Sequence, residues 1–142
     1  MVSQRHKSCL KIFFGYAEGA GKTYAMLEAA REARRGGTDV VIGCLAERES
    51  SQILDMAAEM EHIPCKKQQQ NGRIVRELNL DAIVRRKPQL VVVDDLAHTN
   101  AKGSRHRRRF QDVEEILRAG IDVYTTADIQ NIESLNDLVA SI

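Results

Sequence analysis

The sequence predicts an α/β domain of three layers, an open and mostly parallel sheet with helices on both faces. Three observations predict it. Four short apolar runs, Leu10 to Phe14, Asp39 to Cys44, Leu90 to Val93 and Ile121 to Thr125, are near-continuous rather than alternating, as strands buried on both faces require. Stretches with apolar residues at helical spacing separate them. Glycines close two of those stretches, at Gly36-Gly37 and at Gly120.

Taken in order, Leu10 to Phe14 is the first strand. Tyr24 to Arg35 then puts Met26, Leu27, Ala30 and Ala33 on one helical face, with Glu28, Arg31, Glu32 and Arg35 around the other, and the next strand completes a βαβ unit. Ile53, Met56, Ala57 and Met60 repeat the helical spacing. Lys66 to Arg73, "KKQQQNGR", reads as a polar surface loop turning at Asn71-Gly72, with no chemistry attached to it. A short helix begins near Asp81 with Asn79 as its cap. Phe110, Val113, Ile116 and Leu117 form another helix, with Glu114 and Arg118 as an i,i+4 pair. Ile132, Leu135, Leu138, Val139 and Ile142 mark a last amphipathic helix.

The 142 residues are read as one domain. A chain of this length buries roughly 68–70% of its unfolded surface, enough for a core without metal or disulfide staples. Hydrophobic residues at 43% and charged residues at 29% describe a globular chain. A net charge of +1 argues against nucleic acid as partner. No apolar run is long enough to span a bilayer, and there is no signal-peptide pattern, so the chain as given is expected to be cytoplasmic, without membrane insertion. Cys9, Cys44 and Cys65 are odd in number with no CxxC pair, and read as reduced packing residues.

Residues 15 to 23 read "GYAEGAGKT" between the first strand and the first helix. A phosphate-binding loop needs glycines that let successive backbone N–H groups turn around an anion, a lysine for the outer phosphates and a hydroxyl for magnesium. Gly19, Ala20, Gly21, Lys22 and Thr23 supply these, and the helix N-terminus adds its unpaired donors. The first glycine of GxxxxGK(S/T) would fall at Tyr16; Gly15 stands one residue early.

Such a site also calls for an acidic residue at the tip of a second strand, to order the magnesium shell. "LVVVDD" supplies Asp94. Asp95 follows where a water-orienting carboxylate would act, but it is one methylene shorter than glutamate, which puts hydrolysis in doubt. The polar loop "LAHTNAKGSRHRRRFQD" leaves on the same edge. His98, Thr99, Asn100, Ser104, Arg105 and His106 are its candidates for facing a γ-phosphate, with Arg105 as the charge-neutralising arginine. The bland alternative for Arg105 to Arg109 is a solvated basic patch. Thr125 and Thr126 end "IDVYTT", where a hydroxyl could reach the same phosphate.

"LKIFFGYAEGAGKTYAMLEAA", "VVVDDLAHTNAKGSRH", "FQDVEEILRAGIDVYTT" and "ESLNDLV" together resemble the N-terminal cytoplasmic domain of the KdpD family, potassium and osmotic-stress sensor histidine kinases. The resemblance covers about Leu10 to Val139. It implies a RecA-like P-loop NTPase domain that binds ATP and Mg2+ and regulates the kinase and phosphatase balance of a membrane sensor. The expected partners are nucleotide, the remainder of the kinase and its signalling partners. It carries over Gly19, Gly21, Lys22 and Thr23 as Walker A and Asp94 as Walker B. The chain departs from the family pattern at Asp95, usually Glu; at Leu45-Ala46-Glu47-Arg48, usually Val-Glu-Thr-His; at Ala101 to Arg107, usually Ala-Pro-Gly-Ser-Arg-His-Pro; and at Asn131, usually His. Kinase catalytic regions do not fit in this length. The chain is therefore expected to be the N-terminal piece of a longer sensor or a stand-alone version, binding nucleotide with slow or absent hydrolysis. The alternatives are a small nucleotide or nucleoside kinase and a nucleotide-independent protein-docking module.

Overall fold

In the computed structural model, residues 8–15, 21–45 and 50–129 are described. Strand β1 (Leu10–Gly15) is followed by helix α1 (Gly21–Arg35), β2 (Val40–Cys44), α2 (Ser51–Ala58), β3 (Glu61–His62), β4 (Lys66–Gln70), β5 (Arg73–Glu77), α3 (Leu80–Arg86), β6 (Leu90–Val93), α4 (Arg109–Arg118) and β7 (Asp122–Asp128). The main sheet is parallel, in the order β1-β7-β6-β2-β3. The expected final helix over Ile132 to Ile142 lies outside the described residues.

The sheet is buried on both faces, which makes this a three-layer α/β/α domain. Val40, Ile42, Leu90 and Val92 pack with Met26, Leu27 and Ala30 of α1 and Ile53, Met56 and Ala57 of α2. Val41, Cys44, Val91, Val93, Val123 and Ala127 pack on the other side with Ile83 of α3 and with Val113 and Ile116 of α4. Strand alternation would put Val41 and Gly43 on one face. The register also shifts between Ile42 and Cys44, and this bulge brings Cys44 onto the same face. A Cβ on Gly43 would lie 3.0 Å from side-chain atoms of Ile83 and Val91 and 3.1 Å from Leu78. Only glycine fits there without displacing the core.

The helices stop where the sequence says they should. Thr38 N donates to Ala33 O at 3.0 Å across Gly37, which has φ of 100°. Gly120, with φ of 87°, turns the chain after α4, and Ile121 N reaches Ile116 O. Asn79 caps α3 by accepting from Ala82 N at 3.2 Å, and Ser50 caps α2 by accepting from Ile53 N. Glu114 and Arg118 pair as expected.

Three elements differ from the reading of the sequence. Residues 66–77 are not a loop but an antiparallel hairpin, β4 with β5. Asn71 and Gly72 both have positive φ, 52° and 77°, the pattern a two-residue type I′ turn requires. The polar glutamines hid it, because this hairpin stands away from the main sheet and has little apolar surface to bury. Strand β3 escaped notice because its two residues are both exposed. Strand β7 runs three residues beyond Thr125, pairing Thr126 with Phe13 and Asp128 with Gly15, so the two threonines lie within the strand and Asp128 stands at its tip.

Candidate functional site

Strand β7 separates the two strands that carry the candidate site, with β1 on one side and β6 on the other. All three are parallel, so their carboxyl ends share one edge, where ligands of open α/β sheets bind. Helix α1 starts at that edge. Lys22 lies in its first turn, and a Cβ on Gly15 would sit 3.1 Å from Lys22 Cβ. The glycine one place early in the motif is thus what lets the lysine stem pass against the end of β1. Thr23 is buried. Gly19 and Ala20, with Tyr16, lie outside the described residues, as do the departures at Ala46, Glu47, Arg48 and Asn131.

Lys22 Nζ pairs with the carboxylate of Asp128, a residue that the sequence reading did not single out. Its signal was positional: it ends β7 in register with Gly15. Ile12, Phe13, Phe14, Gly15, Gly21, Lys22 and Ala25 line an open cavity of about 490 Å³ beside the pair. Phe14 is exposed there, 43% accessible.

Asp94 is buried at the carboxyl tip of β6. It continues the face of Leu90 and Val92, the α1 side of the sheet. Thr126, fully buried in the neighbouring strand, donates its hydroxyl to Asp94 Oδ1 and accepts from Asp95 N at 2.9 Å. One threonine thereby fixes the side chain of the first aspartate and the backbone of the second. Asp95 adopts a left-handed conformation, φ of 60°, and is exposed. Thr125 points to the opposite face and is fully buried, and its Oγ1 has no hydrogen-bond partner among the described residues.

Behind Asp94 lies a buried charged cluster. Arg109, 4% accessible, donates to Asp94 O at 2.8 Å and to Glu77 Oε1 at 3.2 Å. His98 Nε2 meets the same Glu77 oxygen at 2.9 Å, and Ala101 N donates to the other. Glu77 is the last residue of β5, so this carboxylate joins the hairpin, the 98–101 loop and the start of α4 to the tip of β6. With Cys44, Leu45, Gln70, Arg76, Asp95 and Thr99, these groups border a cavity of about 470 Å³. Neither Glu77 nor Arg109 was singled out. Arg109 was concealed in a basic run, and its one signal is that it directly precedes the apolar periodicity of α4.

The 98–109 loop is folded on itself rather than free. Asn100 N donates to Arg107 O and its side-chain amide to His106 O and Asp112 Oδ2, at 2.8 to 2.9 Å. Burial pushes the Asp112 carboxyl up, while its hydrogen bond from Asn100 opposes that. Lys102 N and Ser104 Oγ bond to Gln70 and Gln68 of the hairpin. Arg105, 44% accessible, pairs with Asp81 and Glu115, and His106 Nε2 meets Glu115 at 2.8 Å. Arg105 and Asp94 thus border different cavities, with Glu77 on both. Of this basic run, Arg109 reaches Asp94, through the carbonyl oxygen.

Cys44 Sγ donates to Leu45 O and Cys65 Sγ to Gly43 O, each at 3.8 Å. The neighbouring Cys65 thiol and burial push Cys44 up, and the Cys44 thiol, with Arg109 and Arg76 nearby, brings Cys65 down. No helix among the described residues is long and apolar enough to cross a membrane.

Residues 6–142 match the family described as the osmosensitive K+ channel His kinase sensor domain. The chain is 49% identical over 138 residues to the sensor protein KdpD of Clostridium acetobutylicum, covering 97% of this chain and 15% of that protein. It is 45% identical over 137 residues to the sensor protein KdpD of Escherichia coli, again 15% of that protein. A putative sensor protein KdpD of Synechocystis is 48% identical over 132 residues, 36% of its length. The chain thus spans only a minor part of the relatives it matches.

Proposed function

Because the chain belongs to the KdpD family of osmosensitive potassium-channel histidine kinase sensor domains, we propose that it is the nucleotide-responsive regulatory domain of such a sensor. In this reading it binds ATP with Mg2+ and passes the bound state to the remainder of a membrane-anchored kinase that responds to potassium and osmotic stress.

The observation that supports the reading is that Gly15 at the end of β1, Lys22 and Thr23 at the start of α1, and Asp94 at the tip of β6 stand at the same carboxyl edge of the parallel sheet. The donor set fits the group: a cation for the outer phosphates, and a hydroxyl and a carboxylate, both hard oxygen donors, for magnesium. Lys22 would hold phosphate oxygens, and Thr23 and Asp94 would hold the ion. Magnesium, when bound, neutralises phosphate charge. Thr126 keeps Asp94 aimed, and Arg109 fixes the backbone that carries it.

Asp95 bears on turnover. Its short side chain and left-handed backbone are a poor substitute for a longer carboxylate that must hold a water within hydrogen-bond reach. Binding with slow hydrolysis is the expected outcome. Magnesium titrations at fixed ATP test it: Asp94→Asn should retain ATP binding but lose most of the magnesium dependence, and phosphate release by the unaltered chain should remain slow. Magnesium dependence unchanged in Asp94→Asn, or turnover at the rate of a motor ATPase, would contradict the reading.

A further inference from the structure

Three cysteines at 9, 44 and 65 give no pairing signal in the sequence, yet the fold brings two of them together. Strands β2 and β3 are parallel with Ile42 opposite His62, and Ile63 N donates to Ile42 O at 2.9 Å. Just beyond that pairing, Cys65 packs against the buried cluster that contains Cys44 and Ile63. The Cys65 thiol also lies 3.8 Å from Gly43 O, at the bulge that directs Cys44 onto this face. Cys44 is buried and Cys65 half-buried. Cys9 is exposed, on the other side of the sheet order.

We propose that Cys44 and Cys65 form a peroxide-sensitive dithiol whose oxidation to an intramolecular disulfide latches the root of the β4–β5 hairpin to the end of β2. The more accessible Cys65 is the attacking thiol. Its thiolate attacks hydrogen peroxide and displaces hydroxide, giving a sulfenic acid; the Cys44 thiol then attacks that sulfur, forming the S–S bond and releasing water. The two thiols are oxidised as the peroxide O–O bond is reduced, and an external thiol reverses the change by exchange. The nearby Arg109 and Arg76 favour the thiolate of Cys65, in line with its lowered pKa.

The consequence follows from chain connectivity. Cys65 directly precedes Lys66, the first residue of β4, and Cys44 borders the same cavity as Asp94 and Arg109. An S–S bond would tether the hairpin, whose two strands pair with each other among the described residues, to the sheet beside the two aspartates. The inference does not depend on nucleotide binding.

The experiment treats the full chain with hydrogen peroxide and maps peptides without reduction. The expected product is a peptide joining Cys44 to Cys65, reversed by dithiothreitol, with Cys9 still a thiol. In Cys44→Ser, Cys65 should stop at a sulfenic acid that dimedone traps; in Cys65→Ser, Cys44 should stay reduced at the same dose. Hydrogen exchange over residues 66–77 should slow on oxidation. Oxidation confined to Cys9, or cross-links found only between molecules, would overturn the dithiol. Unchanged exchange in a fully cross-linked sample would overturn the latch.

Discussion

Arg109 shows how much one side chain can hold at the residue scale. It is buried against Glu77 and the Asp94 carbonyl, so replacing it with methionine leaves a buried carboxylate without its cation. Arg109→Met should cost about 3–5 kcal/mol in chemical denaturation, whereas adding Glu77→Leu should recover much of that loss. Lys22 makes a different case, because its partner Asp128 competes with any phosphate for it. Asp128→Asn should tighten ATP binding by about 1 kcal/mol, roughly fivefold, as a calorimetric titration would read. The positions of Lys22 and Thr23 at the start of α1 and of Asp94 at the tip of β6 were legible in the sequence because loop and strand-tip motifs have fixed spacing. Asp128, Glu77 and Arg109 were not, because their roles depend on which chain segments meet, and a charge run or a strand end looks the same whether solvated or buried.

The bulge in β2 and the hairpin are the informative features at the scale of elements. Gly43 sits where three side chains leave no room for a methyl group. Gly43→Ala should therefore lower stability by about 1–3 kcal/mol in urea unfolding, despite the better strand-forming residue. The continuous apolar runs gave β1, β2 and β6 nearly to the residue, since strands buried on both faces must be apolar throughout. "KKQQQNGRIVRE" was harder. Its strands lack an apolar stripe, and only the Asn71-Gly72 dipeptide announced the turn that makes them a hairpin. Reading that dipeptide as a hairpin signal would have placed Glu77 at a strand end.

Across the whole molecule, the alternation of strands and helices gave the three layers but could not give the order of strands. That order puts β7 between β1 and β6, which is why Thr126 can fix Asp94 while Asp128 meets Lys22. At the opposite edge of the sheet Arg86 of α3 bridges Asp39 before β2 and Glu61 of β3, with contacts of 2.7 to 2.9 Å. Its guanidinium holds both carboxyls below their ordinary values of 3.8 and 4.5. A lowered folded-state value means that the stabilisation is complete above the unfolded value and fades as pH falls through the folded one. Arg86→Met should consequently be less stable than the unaltered chain at neutral pH, with the gap closing below about pH 4 in acid unfolding.

The central claim is that the edge joining β1, α1 and β6 binds a nucleotide through Lys22. Isothermal titration of ATP with magnesium into the unaltered chain and Lys22→Ala tests it most directly. The account predicts saturable binding that weakens by about 1.5–3 kcal/mol when the lysine is removed, the scale of a charge-assisted contact. Absence of binding in the unaltered chain, or equal affinity in both proteins, would contradict it.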